Sequence, residues 1–207
     1  MEPSLAALEE MVDACELDLV VHLALRDPSL HELVADQLRL PPAQRLRRVL
    51  PAAASKEALR ALRWLARART PSIVIGGVAA VLQGGPQQPG GTRVEFVSAD
   101  PVAMEEEMRA GGLTPVDADE RWVDVDRRAP WTLPDGGSIA LAANVPGTGD
   151  YPDLRRDARA VDLDKRHSVS VAHPRDLLRI ADASPREMDW ARVPGLRALL
   201  SCSAEHR

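Results

Sequence analysis

Two glycines at the end of an apolar strand are the first residues in this 207-residue chain whose type and spacing could do chemistry. Ser72-Ile73-Val74-Ile75 reads as a short strand running straight into Gly76-Gly77 and a small-residue helix, Val78 to Leu82. Glycines at such a junction let the backbone and the helix N-terminus approach a polyphosphate closely, where amide donors and the helix dipole favour an anion. A second strand, Thr92 to Val97, follows a Gly/Pro-rich loop and carries Arg93 and Glu95 two residues apart, on one face. Two outcomes are open for that pair: an ion pair turned inward, or two side chains in solvent on an exposed edge. Asp124 and Asp126 also have the Asp-x-Asp spacing that can hold divalent metals, but a helix separates them from Glu95. A solvated strand face is the expectation for them. His173 sits beside a helix start and reads as a cap or surface residue. The five histidines form no ligand cluster, and no Ser/His/Asp or Cys/His arrangement stands out. Arg45, Arg47 and Arg48, then Arg60, Arg63, Arg67 and Arg69, give basic faces on two helices. Solvation is the default for such faces, and phosphate contact is the sharper alternative.

The elements that must position these residues are read from periodicity. Residues 4–14 have helical spacing, and residues 17–25 alternate like a half-buried strand. Ser29 and Glu32 form a capping-box signature for a helix through Leu38, and Pro42 starts another through residue 50. Ser55 is placed to cap a longer helix carrying Leu59, Leu62 and Leu65. After the second strand, Pro101 to Ala110 predicts a helix with Met104 and Met108 inward and Gly111-Gly112 at its end. Strands are expected at 121–126 and at 138–143, the latter after an Asp135-Gly136-Gly137 turn. A helix over Tyr151–Ala158 precedes a hairpin of Val161–Leu163 and Val169–Val171, and Pro174 opens a further helix. A capping box at Ser184-Pro185-Arg186-Glu187 announces the last one.

Composition bounds the function classes. No apolar run approaches the ~20 residues of a membrane span, and the front of the chain lacks a basic region followed by an apolar signal stretch. Two cysteines near opposite ends, Cys15 and Cys202, have no metal spacing, so free thiols in a cytoplasmic protein are expected. A net charge of −5 argues against attraction of nucleic acid by the molecule as a whole, leaving local basic patches as the only route. With aromatics at 3%, the core must come from Leu, Val, Ala and Ile, and Trp64, Trp122, Trp131 and Trp190 are too dispersed to form a stacking platform.

The strand, Gly76-Gly77, helix and second strand resemble the opening unit of the nucleotidyltransferase superfamily. Ile139-Ala140-Leu141, Val145-Pro146-Gly147 and Tyr151-Pro152-Asp153-Leu154 resemble the segment of AbiEii-type nucleotidyltransferase toxins that carries their third acid. Val169-Ser170-Val171-Ala172-His173-Pro174-Arg175-Asp176-Leu177-Leu178-Arg179 is similar to their strand followed by Asp-Leu-Ile-Arg, and Arg186 and Asp189 match a Gly-Arg-x-x-Asp element beyond it. The resemblance spans residues ~71–200 and implies an α/β fold: a small mixed sheet of nucleotidyltransferase type flanked by helices, with a mostly helical N-terminal appendage. The division it suggests is 1–52 for the appendage and 53–207 for the nucleotidyltransferase-like domain. Within residues 3–27, Pro3-Ser4-Leu5-Ala6-Ala7-Leu8-Glu9 and the alternating strand resemble the region after the recognition helix in Cro/C1-type regulators. That helix is not in this sequence, so DNA binding is not supported by this chain alone.

Carried over residue by residue, the resemblance implies lost chemistry. The family's first two acids fall on Arg93 and Glu95, its third on Ala140, and a helical Lys on Ala181. One carboxylate beside a guanidinium is a poor Mg²⁺ site, because that ion needs near-octahedral oxygen ligation. The expectation is therefore a degenerate site with Gly76 and Gly77 as the remaining nucleotide-contacting positions and no cofactor. Nucleotide, an RNA end, or a protein partner in a toxin–antitoxin or regulatory setting would be bound without reaction. An active transferase would need Mg²⁺ and Glu95 with unconventional partners such as Asp100, Asp124 or Asp126. A fragment of a transcriptional regulator is the third alternative.

Overall fold

Ile73, Val74 and Ile75 are consecutive, and each is about 1% exposed. Successive strand residues face opposite sides, so both faces of this strand are covered, as in a sheet sandwiched by helices. The computed structural model describes residues 28–85, 93–116, 130–142, 145–184 and 192–205. Among them the chain forms a mixed α/β fold with eight helices and an open seven-stranded sheet. The helices are α1 (Pro28–Leu38), α2 (Pro42–Val49), α3 (Ala52–Arg67), α4 (Gly76–Gln83), α5 (Pro101–Ala110), α6 (Tyr151–Arg155), α7 (Pro174–Ala183) and α8 (Val193–Glu205). The strands are β1 (Ser72–Ile75), β2 (Val94–Ser98), β3 (Thr114–Pro115), β4 (Trp131–Thr132), β5 (Ser138–Ala142), β6 (Arg159–Asp162) and β7 (Ser168–Val171). Their order across the sheet is β3-β4-β5-β2-β1-β7-β6.

The pairing fixes which ends of the strands meet. β1 is antiparallel to β2 and parallel to β7, and β2 is parallel to β5. The C-terminal end of β1, the N-terminal ends of β2 and β5, and the C-terminal end of β7 therefore share one end of the sheet. The β4–β5 turn lies at that end and the β6–β7 turn at the other. No described helix is long and apolar enough to cross a membrane.

Several boundaries differ from the sequence reading for local reasons. α3 starts at Ala52, not at Ser55, and Pro51 is its N-cap. The Ser55 hydroxyl is buried inside the first turn and donates to the Ala52 carbonyl at 3.0 Å. In α1, Val34 is fully buried, while Leu33, expected inward, is 40% exposed. The second strand begins at Val94 and extends to Ser98. The helix expected over 151–158 stops at Arg155, and the chain enters β6 at Arg159. Met104 and Met108 are fully buried, and the Asp135-Gly136-Gly137 turn joins β4 to β5 as expected. Residues 4–25, the 121–126 strand, Cys15, Trp122, Trp190 and the 185–187 capping box lie outside the described residues. The last described helix opens at Val193.

Arg45 is the largest departure from the reading of the basic faces. Its guanidinium is half-buried and donates to the carbonyls of Gln37, Leu38 and Leu40, at and just after the end of α1, and of Leu82, at the end of α4. A cation at two helix C-termini satisfies carbonyls the helices cannot pair and opposes their dipoles. Beside it, Gly84 ends α4 at φ +103, with Leu38 so close that a Cβ would meet its Cδ2 at 2.6 Å. α2 contributes Leu46 to the principal core, and α1 forms a smaller cluster with α8 through Val34, Ala198, Leu199 and Cys202.

Candidate functional site

The sequence places Glu95 second in β2, and the strand register decides its neighbours. Glu95 pairs with Ile75 of β1 on one side and with Ala140 of β5 on the other. Strands lie about 4.8 Å apart, so side chains at paired positions stand next to one another. An acid at position 140 would flank Glu95. The alanine there is 8% exposed and presents only a methyl group.

Gly76 lies against the same carboxylate. It has φ +71, and a Cβ built on it would collide with Glu95 Oε2. The position thus needs glycine twice over, for its left-handed conformation and for the closeness of the acid. Gly77 opens the first turn of α4 beneath the Arg192 guanidinium, whose Cζ lies 3.2 Å from where a Cβ would stand. The end of β1 therefore gathers one carboxylate, one guanidinium and the amides of a helix N-terminus that has no side-chain cap. Such amides favour negative charge on an incoming group.

Of the six positions drawn from the sequence, Gly76, Glu95 and Ala140 come together and Gly77 adjoins them. Arg93 stands one residue ahead of β2 and is exposed. β2 is a central strand, which rules out the exposed-edge alternative for Glu95; the residue is half-buried. Ala181 is 4% exposed and belongs to the core under α7. A Lys there would have to bury its charge. Arg192 was missed because it lies beyond the matched Arg186 and Asp189, and nothing in its own spacing marks it.

Other candidates resolve into structural roles. Asp100 is the N-cap of α5, at the far end of β2 from Glu95, and accepts from the amides of Val102 and Ala103 at 3.0 Å each. It is not positioned to join Glu95. His173 caps α7, its Nδ1 accepting from the Arg175 amide at 3.2 Å. Burial, with Arg159 close to the ring, holds its pKa below the usual histidine value. Asp176, 6% exposed in the first turn of α7, pairs with Arg179 at 3.4 Å, and burial raises its pKa. Among the described residues no group of three or more His, Cys, Asp or Glu could hold a metal ion; Asp124 and Asp126 lie outside them. At the position paired with Glu95 on β5 stands a methyl group, so this register sets one carboxylate there and no second beside it.

A cleft of about 670 Å³ opens at the other end of the sheet between α3 and α5. Its Glu107 carboxylate is taken up by the amides of Arg69 and Thr70, at 2.7 and 3.1 Å. That arrangement ties a turn to a helix. No protein-family model matches the chain, and no curated protein sequence matches it.

Proposed function

We propose that this chain is a nucleotidyltransferase-type α/β protein with a degenerate catalytic site, and that its retained role is to bind a nucleotide or an RNA end without transferring it. The observation that carries the reading is the pairing of Glu95 with Ala140 beside Gly76. The glycine-to-helix junction suited to phosphates is kept, and the acids that would hold metal are reduced to one. Arg192 over Gly77 supplies a positive charge at the same strand end and supports an anionic ligand that needs no metal.

Calorimetric titration with ATP, in Mg²⁺ and then in EDTA, tests this directly. Binding by the wild-type protein should be equal in the two buffers and should fall at least tenfold in Arg192→Ala. Ala140→Asp, which restores a second carboxylate beside Glu95, should make binding depend on Mg²⁺. Transfer from labelled nucleoside triphosphates to bulk tRNA, lost in Glu95→Ala, would overturn the proposal in favour of an active enzyme.

A further inference from the structure

Between α2 and α3 lies a cleft of about 460 Å³ whose charged lining is Arg47, Lys56, Arg60 and Arg63. No acid lines it, although the molecule carries a net charge of −5. Lys56, Arg60 and Arg63 follow i, i+4, i+7 spacing and so share one face of α3. At 1.5 Å per residue the row spans about 10 Å. Three nucleotide steps of a stacked strand, about 3.4 Å each, cover the same length.

Two of the cations are fixed in place. Arg60 donates to the Asp135 carbonyl at 2.7 Å and lies 4.0 Å from the Asp135 carboxylate, and Arg63 pairs with Asp164 at 3.1 Å, so each is opposed by an acid outside the lining. The other two are unopposed: among the described residues neither Arg47 nor Lys56 has an ion-pair partner. Arg39, Arg109 and Arg156 each pair with an acid three or four residues away, whereas Arg67, Arg69, Arg155 and Arg175, like Arg47, have no ion-pair partner among the described residues; what sets Arg47 and Lys56 apart is that they share one cleft. The helix beneath the cleft adds to the field. α3 begins with Ala52-Ala53-Ala54 after Pro51 and has no side-chain cap and no acid in its first turn. Its orphan amides thus meet no competing side-chain acceptor.

We propose that this cleft holds the phosphodiester backbone of a single-stranded nucleic acid. Guanidinium forks match phosphate oxygens in pairs, and a row of them on a helix face tracks successive phosphates. The cleft's lining has no aromatic ring on which a base could stack, so contacts are to the backbone and tolerant of sequence. The inference does not rest on the Glu95 site and stands if that site proves empty of function.

The test uses the full chain and a fluorescein-labelled dodecauridylate RNA, followed by anisotropy between 50 and 200 mM salt. Arg47→Ala/Lys56→Ala is the informative variant, since neither residue secures a turn, and circular dichroism checks its fold. The expected result is at least a tenfold loss of affinity, with a salt slope flatter by about 1.4 for two lost phosphate contacts. Arg39→Ala/Arg156→Ala, which removes two cations outside the cleft, should bind as the wild type does. The proposal is overturned if wild-type protein fails to bind the RNA at 50 mM salt, or if the cleft variant binds equally well. It is also overturned if polyglutamate of equal charge displaces the label as effectively as unlabelled RNA, because the cleft would then be a site for acidic protein.

Discussion

The two ends of the sheet treat their carboxylates in opposite ways. At the β6–β7 turn, Asp164 accepts from the amides of Arg166 and His167, from His167 Nδ1 and from Arg63 Nε, at 2.8–3.1 Å. Those hydrogen bonds, the Arg166 amide first and the His167 ring next, hold its carboxyl well below the usual carboxylate range. At the other end, Asp176 is buried in the first turn of α7, and its pKa is raised because desolvation outweighs the nearby Arg179. Glu95 at that end is pressed against the backbone of Gly76. A turn made of consecutive residues can wrap its own acid in donors. An acid brought in by tertiary packing takes whatever neighbours the register supplies.

Substitutions at the two ends should differ in size and in sign with pH. Gly76→Ala should be the most damaging, destabilising the fold by about 1–3 kcal/mol through positive φ and collision with Glu95. Urea unfolding of Gly76→Ala in a Glu95→Ala background should recover only the collision part; full recovery would mean that the backbone conformation carries no strain. Asp176→Asn comes next. A raised folded-state pKa contributes stability that is complete below about pH 4 and is lost as pH rises through the folded value. Wild-type protein should therefore lose stability relative to this variant between pH 3 and 7, as read by thermal unfolding. Asp164→Asn should show the smallest effect and the opposite slope. Its depressed pKa contributes stability present above about pH 4 and lost as pH falls through the folded value, so wild type and variant should converge in acid. Parallel slopes for the two variants would break the comparison.

The regular parts of this fold were legible because each announces itself locally. The strand into Gly76-Gly77, the inward Met104 and Met108, the Asp135-Gly136-Gly137 turn and the Asp164-centred hairpin are all short-range patterns. Two-residue strands such as Thr114–Pro115 and Trp131–Thr132 carry no period to detect, and Trp131 has Arg109 stacked 5.4 Å from its ring centre. The site was legible in part. That Glu95 and Ala140 adjoin is set by a register between strands more than forty residues apart, which no local pattern encodes. Arg192 and Arg45 show the same limit: a long side chain's role depends on which backbone it reaches, and Arg45 reaches a carbonyl 37 residues away.

That last contact has a consequence for how the protein is made. During synthesis α1 and α2 leave the ribosome before α4, and the Arg45 guanidinium has no Leu82 carbonyl to hold until α4 has emerged and formed. The cluster of Val34 with Leu199 waits longer still, through about 165 further residues, or roughly 10–30 s at 5–20 residues per second. α1 therefore completes its packing only after α8 has been made, at the far end of the described sequence.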